Sequence, residues 1–134
     1  MIYIDTDVLV HACVNQDTGK YHQANEVIKR AESDGTAVVS TLSVQELVYV
    51  LAKLNTADED IGRVYNAIMH FEPLAYDGLV IRRAFEIAEF VGFRNISDCI
   101  HTAIAEQHCT ELITYNRSDF RRVSEITTIQ VTIL

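Results

Sequence analysis

IYIDTD, residues 2–7, decides how the rest of the chain is read. An apolar, strand-like run suited to a buried sheet ends abruptly in two carboxylates, Asp5 and Asp7, with only Thr6 between them. A charged side chain at the end of a buried strand needs a partner or a metal ion. A helix-capping reading stays open beside it, because Asp5, Thr6 and Asp7 are all capping types ahead of VLVHACV, although one cap uses only one such residue.

Outward from this stretch, apolar runs of strand length alternate with longer helical segments, the pattern of an α/β domain with a mainly parallel sheet. Five strands are expected, near Ile2–Asp5, Ala37–Thr41, Pro73–Ala75, Glu111–Tyr115 and Ile129–Ile133. The stretch GKYHQANEVIKRAES places Ala24, Val27, Ile28 and Ala31 at helical spacing and stops at Asp34-Gly35. Ser43–Leu54 and Asp58–His70 read as two helices back to back where one crossover would serve, so a protruding helical pair is expected. LVIRRAFEIAEFVGF reads as an amphipathic helix closed by Gly92, and SDCIHTAIAEQHC as a more buried one.

At 134 residues the chain fits a single domain, spanning 1–134, with 49% apolar residues and one proline, Pro73. Cys13, Cys99 and Cys109 are odd in number, lie among apolar neighbours and lack CxxC spacing, which suggests reduced core thiols of a cytoplasmic protein, not a disulfide frame or a zinc site. The first residues carry no signal-like basic and apolar segment, and no run approaches the roughly 20 apolar residues of a membrane span. A formal net charge of −8 disfavours a protein that coats nucleic acid through a broad basic surface. It leaves room for a local basic rim and for a metal-assisted enzyme whose acids serve the ion.

Ligands of open parallel sheets bind beyond the carboxyl ends of the strands. Asp5 ends the first strand, Asp77 follows the third, Asn116 and Asp119 follow the fourth, and Glu46 and Asp98 fall in first helical turns brought to the same edge. Each has a local alternative. Ser43-Val44-Gln45-Glu46 has capping-box spacing, Asp98 complements a helix dipole, Asp119 can cap FRRV, and Asp77-Gly78 suits a turn. Taken together, clustered carboxylates repel unless a cation joins them, and Mg²⁺ or Mn²⁺ accepts such oxygen ligands. An ion there can polarise a phosphodiester and activate water.

These residues, in IYIDTDVLV, STLSVQELVYVL, NISDCIHTAIAEQHC and ITYNRSDF, resemble the PIN-domain family, in particular the small VapC-type toxins of toxin–antitoxin pairs. The four segments run in the family's order over nearly the whole chain. The resemblance implies a three-layer α/β/α sandwich around the five-stranded, mainly parallel sheet, usually dimeric, and an endoribonuclease that uses Mg²⁺ or Mn²⁺ held by acids. It implies Asp5, Glu46 and Asp98 as catalytic metal ligands. In the fourth motif the family's acid stands at the position of Asn116 or of Asp119, and only Asp119 carries a carboxylate here. Asn116 would then offer an amide oxygen or hold a metal-bound water. Asp7 departs from the family pattern and is read as a helper carboxylate or a cap, while Thr6 and Thr114 match hydroxyl positions that orient the acids.

On this reading the substrate is a structured RNA such as a transfer or ribosomal RNA, cut by a metal-activated water. Arg117, Arg121 and Arg122 are the candidate substrate-binding cations, extended by Arg82 with Arg83 or by Arg94. Tyr115 is open to base stacking or to burial at a strand end. None of the five histidines is expected in the site, because their spacing forms no nuclease pair and no zinc pattern. A toxin needs an antitoxin, and Val44–Leu54 with Ile61–Phe71 would offer it a groove, unless those residues serve a homodimer or the core. Two rival readings remain: a PIN-like module that binds RNA or protein without cutting, and a phosphoacceptor switch built on Asp5, Asp7 and Asp77, which the absence of any lysine after Lys53 disfavours.

Overall fold

In the computed structural model, which describes residues 1–134, four strands form one sheet: β1 (Ile2–Ile4), β2 (Ala37–Val38), β3 (Glu111–Thr114) and β4 (Gln130–Ile133). Their order is β2-β1-β3-β4 and every pair is parallel. Parallel neighbours need crossover connections, and helices supply them. α1 (Thr6–Cys13) and α2 (Thr18–Ser33) join β1 to β2; α3 (Thr41–Lys53), α4 (Asp58–Met69), α5 (Gly78–Val91) and α6 (Ile96–His108) join β2 to β3; α7 (Arg117–Val123) joins β3 to β4.

Alternation along the strands divides the core in two. Ile4, Val39 and Ile113 face one layer, packed with Val8 of α1, Ala24 of α2, Leu47 and Leu51 of α3 and Ile68 of α4. Tyr3, Val38 and Leu112 face the other, with Val80 and Ile87 of α5, Ile104 of α6 and Phe120 of α7. The result is the expected three-layer α/β/α sandwich. Each large aliphatic side chain buried in these layers contributes roughly 1.5–3 kcal/mol.

The expected third strand at Pro73–Ala75 is reduced to one parallel bridge, Ser40 to Leu74, so the sheet has four strands and not five. The physical causes flank the bridge. Pro73 has no N–H to donate, Glu72 before it takes a left-handed φ of 49°, and Asp77 after it already caps α5 through Leu79 and Val80. Elsewhere the stops fall as the sequence suggests, with Gly35 at φ 64° after α2 and Gly92 at φ 109° after α5. Cys99 and Cys109 lie in the core, whereas Cys13 is exposed. No helix is long and apolar enough to cross a membrane.

The chain moves from β1 to β2 on one side and returns to β3 on the other. Strand order therefore reverses between β1 and β3, and the carboxyl ends of these two strands frame the crevice where such folds bind ligands.

Candidate functional site

A cavity of about 450 Å³ opens at that crevice, and Asp5, Thr6, Asp7, Glu46, Asp98 and Asn116 are among its lining residues. Asp5 and Asp7 arrive from the β1–α1 junction, Glu46 from α3, Asp98 from the first turn of α6, and Asn116 from the end of β3. Asp77 does not line it, which removes the acceptor that a phosphoacceptor switch would need there.

Asp5 is 4% exposed and held from both sides. Its Oδ1 accepts the backbone N–H of Thr6 at 2.7 Å, and its Oδ2 accepts the Thr114 hydroxyl at 2.7 Å. Asp5 thus caps α1, while Asp7 does not. Asp7 reaches across the crevice, its Oδ2 accepting the backbone N–H of Tyr115 at 3.0 Å and lying 3.2 Å from the Thr114 hydroxyl. One hydroxyl proton therefore stands between two carboxylates, with the shorter contact to Asp5. Burial pushes Asp5 above the usual carboxylate range. Burial, followed by the charge of Asp5, lifts Asp7 to about 6.

Glu46 belongs to a different network. The cap of α3 is Ser40, whose side chain exchanges hydrogen bonds with Ser43, so Glu46 is free of the capping duty that its spacing from Ser43 suggested. Its Oε2 accepts the Thr6 hydroxyl at 2.7 Å and lies 2.7 Å from His101 Nε2, and its Oε1 accepts the Ser97 hydroxyl. His101 is 1% exposed and places Nδ1 2.7 Å from the Tyr3 hydroxyl, which also meets Ser40 at 2.6 Å and Ser43 at 3.2 Å. Burial opposes charge on both members of the pair. The groups facing His101, Tyr3 then Glu46 and Asp5, nevertheless raise it well above the usual histidine range, and His101, Ser97 and Thr6 hold Glu46 down to about 2.

On the far side of the crevice, Asn116 Nδ2 donates to Asp119 Oδ2 at 2.8 Å and lies 3.4 Å from Asp98 Oδ2. Asn116 also caps α7, accepting from the Asp119 N–H, so Asp119 is not the cap. Asn116 lines the cavity and Asp119 stands behind it, tethered by the amide. Burial, then the charge of Asp5, drives Asp98 up to about 7.

No set of three His, Cys, Asp or Glu side chains is grouped tightly enough to hold an ion unaided. The donors still suit a hard divalent cation, because they are oxygen-only and burial raises Asp5, Asp7 and Asp98 even though His101 offsets part of the rise at Asp5 and Asp98. Mg²⁺ keeps several waters and is commonly held through one or two carboxylates, which tolerates this spacing.

The arginines separate. Arg117, Arg121 and Arg122 are all exposed on α7, but only Arg122 engages its guanidinium within the chain, on the carbonyls of Val91 and Phe90 at the end of α5. Arg83 is committed to Glu106 and Glu86. Tyr115 is engaged on both edges, its hydroxyl bonded to the Lys20 carbonyl and Gln23, its ring beneath the Lys20 ammonium and edge-on to His11. His101, Ser97 and Tyr3 are the site residues that sequence reasoning missed. The only signal was a polar ring inside the apolar run of α6, where a buried imidazole must find partners.

Residues 2–126 match the PIN domain family. Among solved structures, the chain is similar to VapBC2 from Rickettsia felis bound to a promoter DNA fragment, with TM-score 0.72 and 16% identity over 100% of this chain and 99% of that one. It is similar to DNA-bound VapBC from Salmonella typhimurium, with TM-score 0.73 and 18% identity over 98% and 96% of the two chains. FitAcB from Neisseria gonorrhoeae gives TM-score 0.70 and 19% identity over 98% and 96%. At these identities the likeness is one of fold. No curated protein matches the chain.

Proposed function

The chain belongs to the PIN domain family, and from that premise we propose that it is a Mg²⁺- or Mn²⁺-dependent endoribonuclease, the toxin of a toxin–antitoxin pair. The observation that carries this reading is the convergence of Asp5, Glu46 and Asp98, from three separate elements, on one cavity at the point where strand order reverses. Asp5, Glu46 and Asp98 would hold the ion, with Asp119 completing the set and Asn116 between it and Asp98. A bound divalent ion supplies charge stabilisation at a phosphodiester and a water acidic enough to attack it.

The chain's own residues supply position. Thr6 and Thr114 fix the two oxygens of Asp5, and Thr6, Ser97 and His101 fix Glu46, so neither acid has to reorder when substrate arrives. Exposed Arg117 and Arg121 bring positive charge to a site rich in acids, where a polyanion otherwise meets repulsion. The antitoxin reading is supported by the fold's likeness to VapBC and FitAcB structures. The α3–α4 pair offers the antitoxin a groove, because Val48, Ala52, Ile61 and Tyr65 line an open cleft while Leu47, Leu51 and Ile68 serve the core. A homodimer is part of the same proposal.

The test is sequencing of new RNA 5′ ends in cells briefly expressing the wild type, Asp5→Ala or Asp98→Asn. New ends at one or a few sites, absent with both variants, are the expected result. Ends that persist in either variant would remove these acids from the chemistry.

A further inference from the structure

Half of the cavity is not acidic. Besides the carboxylates, Thr6 and Asn116 it is lined by Val10, His11, Gln16, Tyr49 and Val50. Helical period explains their place. Val10 and His11 follow Asp7 by three and four residues on α1, and Tyr49 and Val50 follow Glu46 by the same steps on α3, so α1 and α3 present this second wall one turn, about 5.4 Å, from their carboxylates.

Two side chains of the wall keep a face or an atom that the fold does not pair. Tyr49 is 63% exposed, and its ring carries the Lys53 ammonium at 5.3 Å. His11 Nδ1 is the one buried side-chain nitrogen or oxygen without a hydrogen-bond partner. Nδ1 itself is closed off, but no protein hydrogen bond engages Nε2 either and that nitrogen is not buried, so it is left to meet a ligand in the cavity. Exposed Gln16 adds an amide that both donates and accepts.

We propose that this wall seats one unpaired nucleobase of an RNA substrate, stacked on Tyr49 with its edge against His11 and Gln16, next to a phosphate held at the acids. The proposal rests on the ribonuclease reading and names what that site selects. The volume of about 450 Å³ lies in the range of small-molecule pockets and suits a single splayed nucleotide better than a duplex. Bases are read in RNA when unstacked, through aromatic stacking and edge hydrogen bonds, which are the two functions the wall provides. A peptide anchor is favoured less here, since 3 of the 11 lining residues are hydrophobic, whereas the slot between α1, α2, α3 and α4 has 9 of 10.

The experiment uses RNA hairpins with a fixed stem and a randomised loop. Binding is read by fluorescence anisotropy in Ca²⁺, and cleavage in Mn²⁺ by sequencing the new ends. Tyr49→Ala is expected to weaken binding by about 5- to 150-fold, the range for losing one base–aromatic stack, and Tyr49→Phe to restore it. His11→Ala and Gln16→Ala are expected to broaden the base preference at a single position beside the cut. A wild type that cuts, with affinity and preference unchanged in all these variants, would overturn the base wall and leave the ribonuclease reading standing. Binding that depends on Tyr49 without cleavage would uphold the wall and overturn the ribonuclease reading. Neither binding nor cleavage would defeat both.

Discussion

The two banks of the crevice are built on opposite plans. On the Glu46 bank, Tyr3, Ser40, Ser43, Thr6, Ser97 and His101 hydrogen bond to one another or to the carboxylate, and Glu46 stays ionised with a pKa of about 2. On the Asp98 bank, one Asn116 amide serves two acids, and Asp98 is driven up to about 7 by burial and the charge of Asp5. A buried acid with cationic and hydroxyl partners is complete as it stands; a buried acid beside other acids is not. The difference teaches that position is set by the protein on one bank, while charge balance on the other is left to a ligand.

Removing the incomplete acid gives the largest effect. Asp98→Asn should lower Mn²⁺ affinity, read by calorimetry, by more than the roughly 10- to 100-fold typical of residues that only support a metal ligand. Without metal the same variant should be more stable than the wild type. The Asp98 pKa is raised from 3.8 to about 7, so its ionisation destabilises the fold progressively as pH climbs from about 4 through 7. At pH 8 the variant should gain on the order of 3 kcal/mol, and added Mn²⁺ should raise the melting temperature of the wild type alone. Equal metal affinities would erase the contrast between the banks.

His101 is the corresponding break on the complete bank. His101→Ala strands Glu46 and the Tyr3 hydroxyl and should cost about 3 kcal/mol in urea unfolding, with His101→Gln losing less. The pH dependence has two limits. His101, raised above 6.5, contributes fully below that value and loses its contribution as pH rises through its folded pKa. Glu46, lowered from 4.5 to about 2, contributes fully above 4.5 and loses it as pH falls. The stability gap between wild type and His101→Ala should therefore be widest from about pH 4.5 to 6.5 and shrink on both sides. A flat gap would mean that a neutral imidazole does the positioning.

The acids of both banks were legible in the sequence, and the polar network that completes the Glu46 bank was not. Asp5 announced itself by ending an apolar run, and the alternation of strands and helices placed Glu46 and Asp98 at the same edge. Hydrophobic period records which face of an element is buried, so the layers followed from it. Period does not record which polar groups meet across the core, and the Tyr3–His101 bond joins positions 98 apart. Local motifs misled where tertiary contacts chose among equivalent residues. The Ser43–Glu46 spacing matches a capping box, but the Tyr3 hydroxyl sits on Ser40 and Ser43, and these two form the box. Apolar Pro73–Ala75 looked like a strand, yet proline, a left-handed Glu72 and the Asp77 cap leave it a single bridge.

A pair remote from the crevice calibrates these effects. Arg83 meets Glu106 through both Nε, at 2.7 Å, and Nη2, at 3.0 Å, with no role in the cavity. Burial works against Glu106, but Arg83 and Thr127 hold its carboxyl below the usual range. Arg83→Ala should cost about 1 kcal/mol at neutral pH, with the loss fading as pH falls below 4.5 and Glu106 protonates. Mn²⁺ affinity should not change. If it did, the loss of metal affinity assigned to Asp98 would have to be read as a property of α6, the helix that carries both Asp98 and Glu106.

The smallest effect separates arginines that are neighbours in sequence and different in structure. Arg122 is engaged with the carbonyls of Val91 and Phe90 and lies over the Phe90 ring, tying α7 to α5, so Arg122→Ala should lose about 1 kcal/mol of stability and little RNA affinity. Arg117 and Arg121 are exposed and make no side-chain hydrogen bond or ion pair within the chain, and their alanine variants should do the reverse. Each phosphate contact to a single strand contributes about 0.7 to the slope of log affinity against log salt. Losing Arg117 or Arg121 should flatten that slope by about this amount while the melting temperature holds. A flattened slope in Arg122→Ala, with none in Arg117→Ala, would move the substrate's path from the start of α7, beside Asn116, toward the end of α5.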